Sequence, residues 1–240
     1  MKRNLKDTLV FCDMDNTLLT AKEGIPECNR TVIKLFTGMG GRFTVASGRP
    51  PESVRAALGD IRLSLPAICC NGSLLYDFST ERVLRHATLE RGQATAAILE
   101  IMEKFPRVGV EVMAGAGDMY VVRANPYTHA HQVDEQLSGV ACPLDAVPDG
   151  WVKVVFAGDP EMIRKVGQYA KTRYYGRENY FLATNSIYYE IMPAGVGKAS
   201  ALRDLCALLG VPVENTVVIG DYYNDLEIMQ AAGYSVAVSN

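Results

Sequence analysis

Three short apolar runs in this chain end abruptly in polar clusters, and they constrain the fold more than any other feature. Leu9-Val10-Phe11-Cys12 runs into Asp13-Met14-Asp15-Asn16-Thr17-Leu18, and Arg42–Ala46 runs into Ser47-Gly48-Arg49. Near the far end, Thr216–Ile219 runs into Gly220-Asp221-Tyr222-Tyr223-Asn224-Asp225. Runs that are apolar throughout, rather than alternating, read as strands covered on both faces. Helical stretches lie between them: one near 27–38 with Pro26 close to its first turn, one after Pro50-Pro51, one over 198–209 and one near 225–231. Two more strands are expected, Ala67–Cys70, which ends at Asn71-Gly72, and Ser235–Val238. The expected class is α/β, a Rossmann-like parallel sheet with crossover helices. Right-handed crossovers bring the strand ends to one edge, which is where ligands bind in open α/β sheets.

The texture changes from about Leu84. A helix over 94–105 leads into a β-pair, Val108–Met113 and Met119–Val122, joined by Ala114-Gly115-Ala116-Gly117. Strand 151–156, a helix from Pro160 to about Tyr174 and strands near 180–183 and 187–191 follow. Strands grouped in this way predict an α+β module with antiparallel pairing. The expected division is a core of residues 1–83 and 194–240, interrupted by an inserted module of residues 84–193. A length of 240 residues suits one core carrying an insert. The net charge of −3, with no long basic run, favours neither nucleic acid nor an anionic membrane surface. Six cysteines without CxxC spacing read as thiols in a reducing compartment. The first apolar run, about four residues long, is too short for a signal sequence or a membrane span. The expectation is a cytoplasmic protein, monomeric or homodimeric, with no nucleic-acid or membrane partner.

Each polar cluster has an ordinary reading when taken alone. Asp13 and Asp15 could be turn acids capping the next helix, and Ser47-Gly48-Arg49-Pro50 could be a simple turn. Lys198 could be a solvated helix residue and Asn224 a helix cap. Their conjunction carries the inference. If all three strands share one sheet, four carboxylates converge, and such a cluster needs a cation. Oxygen ligands without paired His or Cys select a hard ion, with Mg²⁺ the expected one. Lys198 beside them, after Gly195-Val196-Gly197, is placed for a phosphate. The stretch is not a nucleotide phosphate loop, because Met192 and Ala199 occupy positions where that motif needs Gly and Ser or Thr.

In order, Asp13-Met14-Asp15-Asn16-Thr17-Leu18, Ser47-Gly48-Arg49, Lys198 and Gly220–Asp225 resemble the four motifs of the haloacid-dehalogenase-like hydrolases. Glu190-Ile191-Met192-Pro193 leading to Lys198, together with the long insert, is similar to the Cof-type sugar-phosphatase branch. The resemblance implies a Rossmann-like core with a large α/β cap inserted after the third core strand. It implies that Asp13 attacks phosphorus to form an aspartyl-phosphate, while Asp15 protonates the leaving oxygen and later takes a proton from water. It implies Mg²⁺ held by Asp13, Asp15 (through its carbonyl) and Asp221, with Asp225 in support. Ser47, Gly48, Lys198 and Asn224 would hold the phosphoryl group. Arg49, Asn71 and Gly72 are further candidates for substrate contact. The substrate would be a small phosphorylated metabolite, and a sugar phosphate is expected.

Two positions depart from the branch: Gly197 stands where it often has Ser, and Ala199 where it often has Gly. The family also continues past the strand matching Tyr234–Val238, so the last core edge is expected to be incomplete in a sequence stopping at Asn240. The cap should select the substrate, with Arg123, His129, His131, Lys153 and Tyr174-Tyr175 as its candidate polar groups. His129-Ala130-His131 reads first as a solvated loop or helix edge. Two alternatives stay open: a sugar phosphomutase with the same aspartyl-phosphate, and a non-enzymatic phospho-acceptor of the receiver kind.

Overall fold

Strand β1 (Leu9–Cys12) lies at the centre of the first unit, with Leu9 and Phe11 fully buried. The computed structural model describes residues 5–20, 24–173, 177–221 and 223–239. Helix α1 (Glu27–Gly38) starts directly after Pro26, whose extended backbone breaks any earlier helix. Strand β2 (Arg42–Val45) follows, then helix α2 (Pro51–Leu58) with its proline in the first turn. Strand β3 (Ala67–Cys69) pairs antiparallel with β4 (Leu74–Asp77), which is bonded on its other side to β5 (Arg82–His86).

Helix α3 (Arg91–Lys104) opens the second unit, capped by the Glu90 side chain accepting from the Gly92 and Gln93 amides. Strands β6 (Gly109–Ala114) and β7 (Asp118–Arg123) form the expected hairpin. Helix α4 (Pro126–Glu135) comes next, started by a reciprocal cap between Asn125 and Thr128. Strands β8 (Val140–Ala141) and β9 (Trp151–Ala157), helix α5 (Pro160–Lys171), and strands β10 (Asn179–Ala183) and β11 (Tyr188–Pro193) complete the unit. The chain then returns to the first unit as helix α6 (Lys198–Leu209), strand β12 (Thr216–Gly220), helix α7 (Leu226–Ala231) and strand β13 (Tyr234–Ala237).

The first unit comprises residues 1–85 and 196–240, and the second comprises 86–195. In the first, a parallel sheet runs in the order β13-β12-β1-β2, and a parallel bridge from Ala46 to Ile68 brings β3 alongside β2. Leu9 and Phe11 pack with Ala46, Ile68, Leu202, Leu205 and Val218 in one apolar cluster. The edge strand β13 is exposed along its length.

In the second unit a sheet runs in the order β10-β11-β9-β6-β7-β8. One face carries Val110, Val112, Val154, Phe156 and Ile191, packed on Ile98 and Ile101 of α3 and Ile163 and Val166 of α5. The other face carries Glu111, Lys153 and Glu190, since Glu111 and Glu190 are both in register with Val155, two residues from Lys153. His131 reaches this face from α4. The expectation of a solvated His129-Ala130-His131 therefore holds only for His129. His131 is 4% exposed, and its Nδ1 lies 2.6 Å from Glu111 Oε2.

Candidate active site

The carboxyl ends of β1 and β12 are adjacent because Cys12 pairs with Ile219, and the Asp13 amide continues the ladder by donating to the Ile219 carbonyl at 2.8 Å. Asp13 is thus held in extended backbone at the sheet edge, with its side chain only 8% exposed. From there the chain turns sharply. The Thr17, Leu18 and Leu19 amides all donate to the Met14 carbonyl, and Asn16 adopts φ 57°. That turn brings the Thr17 hydroxyl to Asp221, to which it donates at 3.1 Å.

Lys198 enters from the first turn of α6. Its ammonium donates to Asp13 Oδ1 at 2.6 Å and to Asp225 Oδ1 at 2.7 Å, and it is almost fully buried. Burial alone would lower its pKa, but Asp13 and Asp225 outweigh that and raise it above the ordinary lysine range. Burial pushes the Asp13 carboxyl up to about 6, with Lys198 pulling down and the charge of Asp225 pushing up. Asp225 comes close because Gly220 has no side chain: a Cβ there would sit 2.6 Å from Asp225 Oδ2. That oxygen accepts from the Asp221 amide at 3.3 Å.

Asp13, Asp221 and Asp225 each offer an oxygen within 4.8 Å of the others. Three carboxylates against the single ammonium of Lys198 leave an excess of negative charge that suits a divalent cation. The donors are oxygens, which suit a hard ion such as Mg²⁺.

The loop after β2 lines the same edge. Ser47 is fully buried and its hydroxyl accepts from the Arg49 amide at 3.2 Å. The Asn71 amide donates to the Ser47 carbonyl at 3.0 Å. Cys70, Asn71 and Gly72 take successive positive φ values of 49°, 53° and 99°. Only glycine fits at 72, where a Cβ would lie 2.3 Å from the Gly197 carbonyl oxygen. Gly48 lies against the Asn71 side chain, 3.0 Å from its Oδ1 by the same construction.

A sequence model of the haloacid dehalogenase-like hydrolases matches residues 10–240, nearly the whole chain. The chain belongs to that family. Among the chain's relatives, a pyridoxal phosphate phosphatase of Escherichia coli is 24% identical over 247 residues, covering 97% of this chain and 88% of the relative. A 5-amino-6-(5-phospho-D-ribitylamino)uracil phosphatase of Bacillus subtilis is 25% identical over 257 residues, covering 96% and 87%. The crystal structure of a haloacid dehalogenase-like hydrolase from Bacteroides thetaiotaomicron superposes with a TM-score of 0.82 at 21% identity, covering 94% of this chain and 86% of that one. That likeness shows the hydrolase fold.

Several expected site residues sit differently from their sequence reading. The Asp15 side chain is not with the acidic cluster; it faces Arg49, which donates from Nε and Nη2 at 2.8–3.2 Å. Arg49, a candidate for substrate contact, is engaged with this acid. Gly72 packs on backbone. Asn224 is half-buried in the short turn before α7. Tyr174, Tyr175 and Tyr222 lie outside the described residues. In the second unit Arg123 donates to the Met102 carbonyl at the end of α3, and Lys153 pairs with Glu190 at 3.1 Å, both nearly fully buried. Thr17, Glu111 and Glu190 were not singled out from sequence as site or cluster residues. A lone acid inside an apolar strand, as in Gly109-Val110-Glu111-Val112 and Tyr189-Glu190-Ile191, is the signal of a buried charge that needs a partner.

Proposed function

We propose that this hydrolase is a Mg²⁺-dependent phosphatase acting on a small phosphorylated metabolite, with Asp13 as nucleophile. The observation that carries the reading is the meeting of Asp13, Asp221, Asp225 and Lys198 at the ends of β1 and β12. In the first step an Asp13 oxygen bonds to phosphorus as the bond to the leaving oxygen breaks, and Asp15 delivers a proton to that oxygen. In the second, water attacks phosphorus, Asp15 takes its proton, and phosphate leaves with Asp13 restored. Asp13, Asp221 and Asp225 would hold the cation, together with the Asp15 carbonyl. When bound it supplies positive charge against the phosphoryl oxygens. Lys198 adds a second positive charge, buried where it is screened least. Ser47, the Gly48 amide and Asn224 complete the phosphoryl site. The second unit, residues 86–195, acts as the cap that selects the leaving group.

The named activities of the relatives, on pyridoxal phosphate and on a phosphoribitylamino-uracil, support a small phosphorylated metabolite; a sugar phosphate is the class the sequence resemblance implies. The family match also sets aside the receiver-like phospho-acceptor.

Phosphate release from p-nitrophenyl phosphate tests the assignment. Wild type is expected to turn over with Mg²⁺ and to stop with EDTA. Asp13→Asn is expected to lose at least about a thousandfold in kcat, a typical consequence of removing a covalent nucleophile. Hydrolysis retained in that variant would overturn the nucleophile, and an isomerised sugar phosphate without phosphate release would favour a mutase. A panel of phosphorylated sugars, nucleotides and cofactors then identifies the substrate.

A further inference from the structure

Asp15 is about half exposed, with 52% of its side chain accessible, whereas Arg49 opposite it is 12% exposed. A short acidic side chain in that setting has open rotamers, so its pose is fixed by whatever holds it. The arginine is fixed at every level. Its amide donates to Ser47 Oγ, and its carbonyl accepts from the Cys70 amide at 3.0 Å. Pro50 and Pro51 follow it and restrict the backbone at the start of α2. At the far end, Nη1 donates to Ser53 Oγ at 2.7 Å, and Ser53 is fully buried in α2. The remaining edge of the guanidinium, Nε and Nη2, then meets both oxygens of Asp15.

We propose that Arg49 is a positioning residue for Asp15, with Ser53 setting the plane of its guanidinium, rather than a group that binds the phosphoryl oxygens. The inference rests on the proposed role of Asp15 as the proton carrier. A planar fork matched to a carboxylate fixes both distance and orientation, which a lysine's point charge does not. Proton transfer from a positioned acid is worth about 10²–10⁴-fold. A misplacement of about 1 Å can forfeit about a hundredfold. The benefit falls on the first step, where the P–O bond to the leaving group breaks and the proton from Asp15 ends on the departing oxygen. An alkoxide needs that proton to leave; p-nitrophenolate is a stable anion and needs it little.

The experiment is therefore a leaving-group comparison. For wild type, Asp15→Asn, Arg49→Gln, Arg49→Lys and Ser53→Ala, kcat/KM is measured on p-nitrophenyl phosphate and on an alkyl phosphate. This parameter reports only the steps up to departure of the leaving group. Asp15→Asn is expected to raise the aryl-to-alkyl ratio most. Arg49→Gln should raise it about tenfold or more, Arg49→Lys by less than Arg49→Gln, and Ser53→Ala by about two- to threefold. A loss in Arg49→Gln that is equal for both substrates, while Asp15→Asn still shifts the ratio, would overturn the proposal and return Arg49 to phosphoryl binding or a purely structural role. No shift in Asp15→Asn would instead overturn the proton-carrier role of Asp15, and with it the proposal. Circular dichroism and melting of each variant separate misfolding from these outcomes, and Ser53→Ala leaves the arginine itself in place.

Discussion

The buried pair of His131 and Glu111 should make the stability of the second unit fall between pH 6.5 and 9. Burial would lower the imidazole pKa, but hydrogen bonds to Glu111 and Glu135 outweigh it and raise the value from 6.5 to about 9. At about 1.4 kcal/mol for each pH unit, that rise corresponds to about 3 kcal/mol. Because the folded value lies above the unfolded one, this stability is complete below pH 6.5 and is lost as pH climbs through 9. His131→Phe removes it and strands Glu111, which is fully buried with Oε1 lacking a hydrogen-bond partner among the described residues, so the expected cost at pH 6 is about 3–5 kcal/mol. Replacing both groups, Glu111→Leu with His131→Phe, leaves no unpaired charge in that pair and should recover most of the loss. The chain's one tryptophan, Trp151, is buried in the apolar cluster of the second unit, so its fluorescence in urea reports that unit directly. Wild type should lose about 3 kcal/mol between pH 6 and 9.5, and the double variant should be flat across the same range. A double variant that keeps the wild-type slope, or a single variant costing under about 1 kcal/mol, would refute the reasoning.

Two further outcomes follow from the first unit. Gly72→Ala puts a Cβ 2.3 Å from the Gly197 carbonyl at a φ of +99°, so backbone must shift just where α6 presents Lys198. Melting should fall by the equivalent of about 2–4 kcal/mol, and phosphate release should drop further than stability alone accounts for. With the Asp13 carboxyl pushed up to about 6 by burial, protons compete with a cation for it below that pH. Mg²⁺ binding followed by calorimetry should weaken up to about tenfold for each pH unit below 6 and level off above it.

What the sequence made legible were the elements whose apolar residues were uniform. Leu9–Cys12 and Thr216–Gly220 could be placed because strands covered on both faces leave no polar alternation to confuse them, and Arg42–Val45 because it ends in Ser47-Gly48 as they end in polar clusters. Lys198 was legible as the charge opposite the carboxylates, and the structure brings it to Asp13 and Asp225. Helix α4 was not legible, although Asn125-Pro126 and Thr128 mark its start, because its buried positions are Thr128 and His131 rather than aliphatic residues. The β4–β5 pair was overlooked for a related reason: the exposed and half-buried residues of β5 give no apolar run. The contact between Asp15 and Arg49 joins two loops 34 residues apart, and neither loop alone says where a side chain turns. Glu111 and Glu190 each sit in an otherwise apolar strand, and only the register of the sheet shows that they share a face.

The order of the strands also sets an order of events during synthesis. β1 lies between β2 and β12, so one of its two neighbours leaves the ribosome only after the whole second unit. The second unit, by contrast, is one unbroken stretch, 86–195, with an apolar cluster drawn wholly from itself. It can close while β1 still has an unpaired edge and while Asp13 waits for Lys198 and Asp225. The edge carrying Asp13 is therefore completed only after the insert has been made, and an open, apolar β1 is the species that a chaperone or a neighbouring nascent chain would meet.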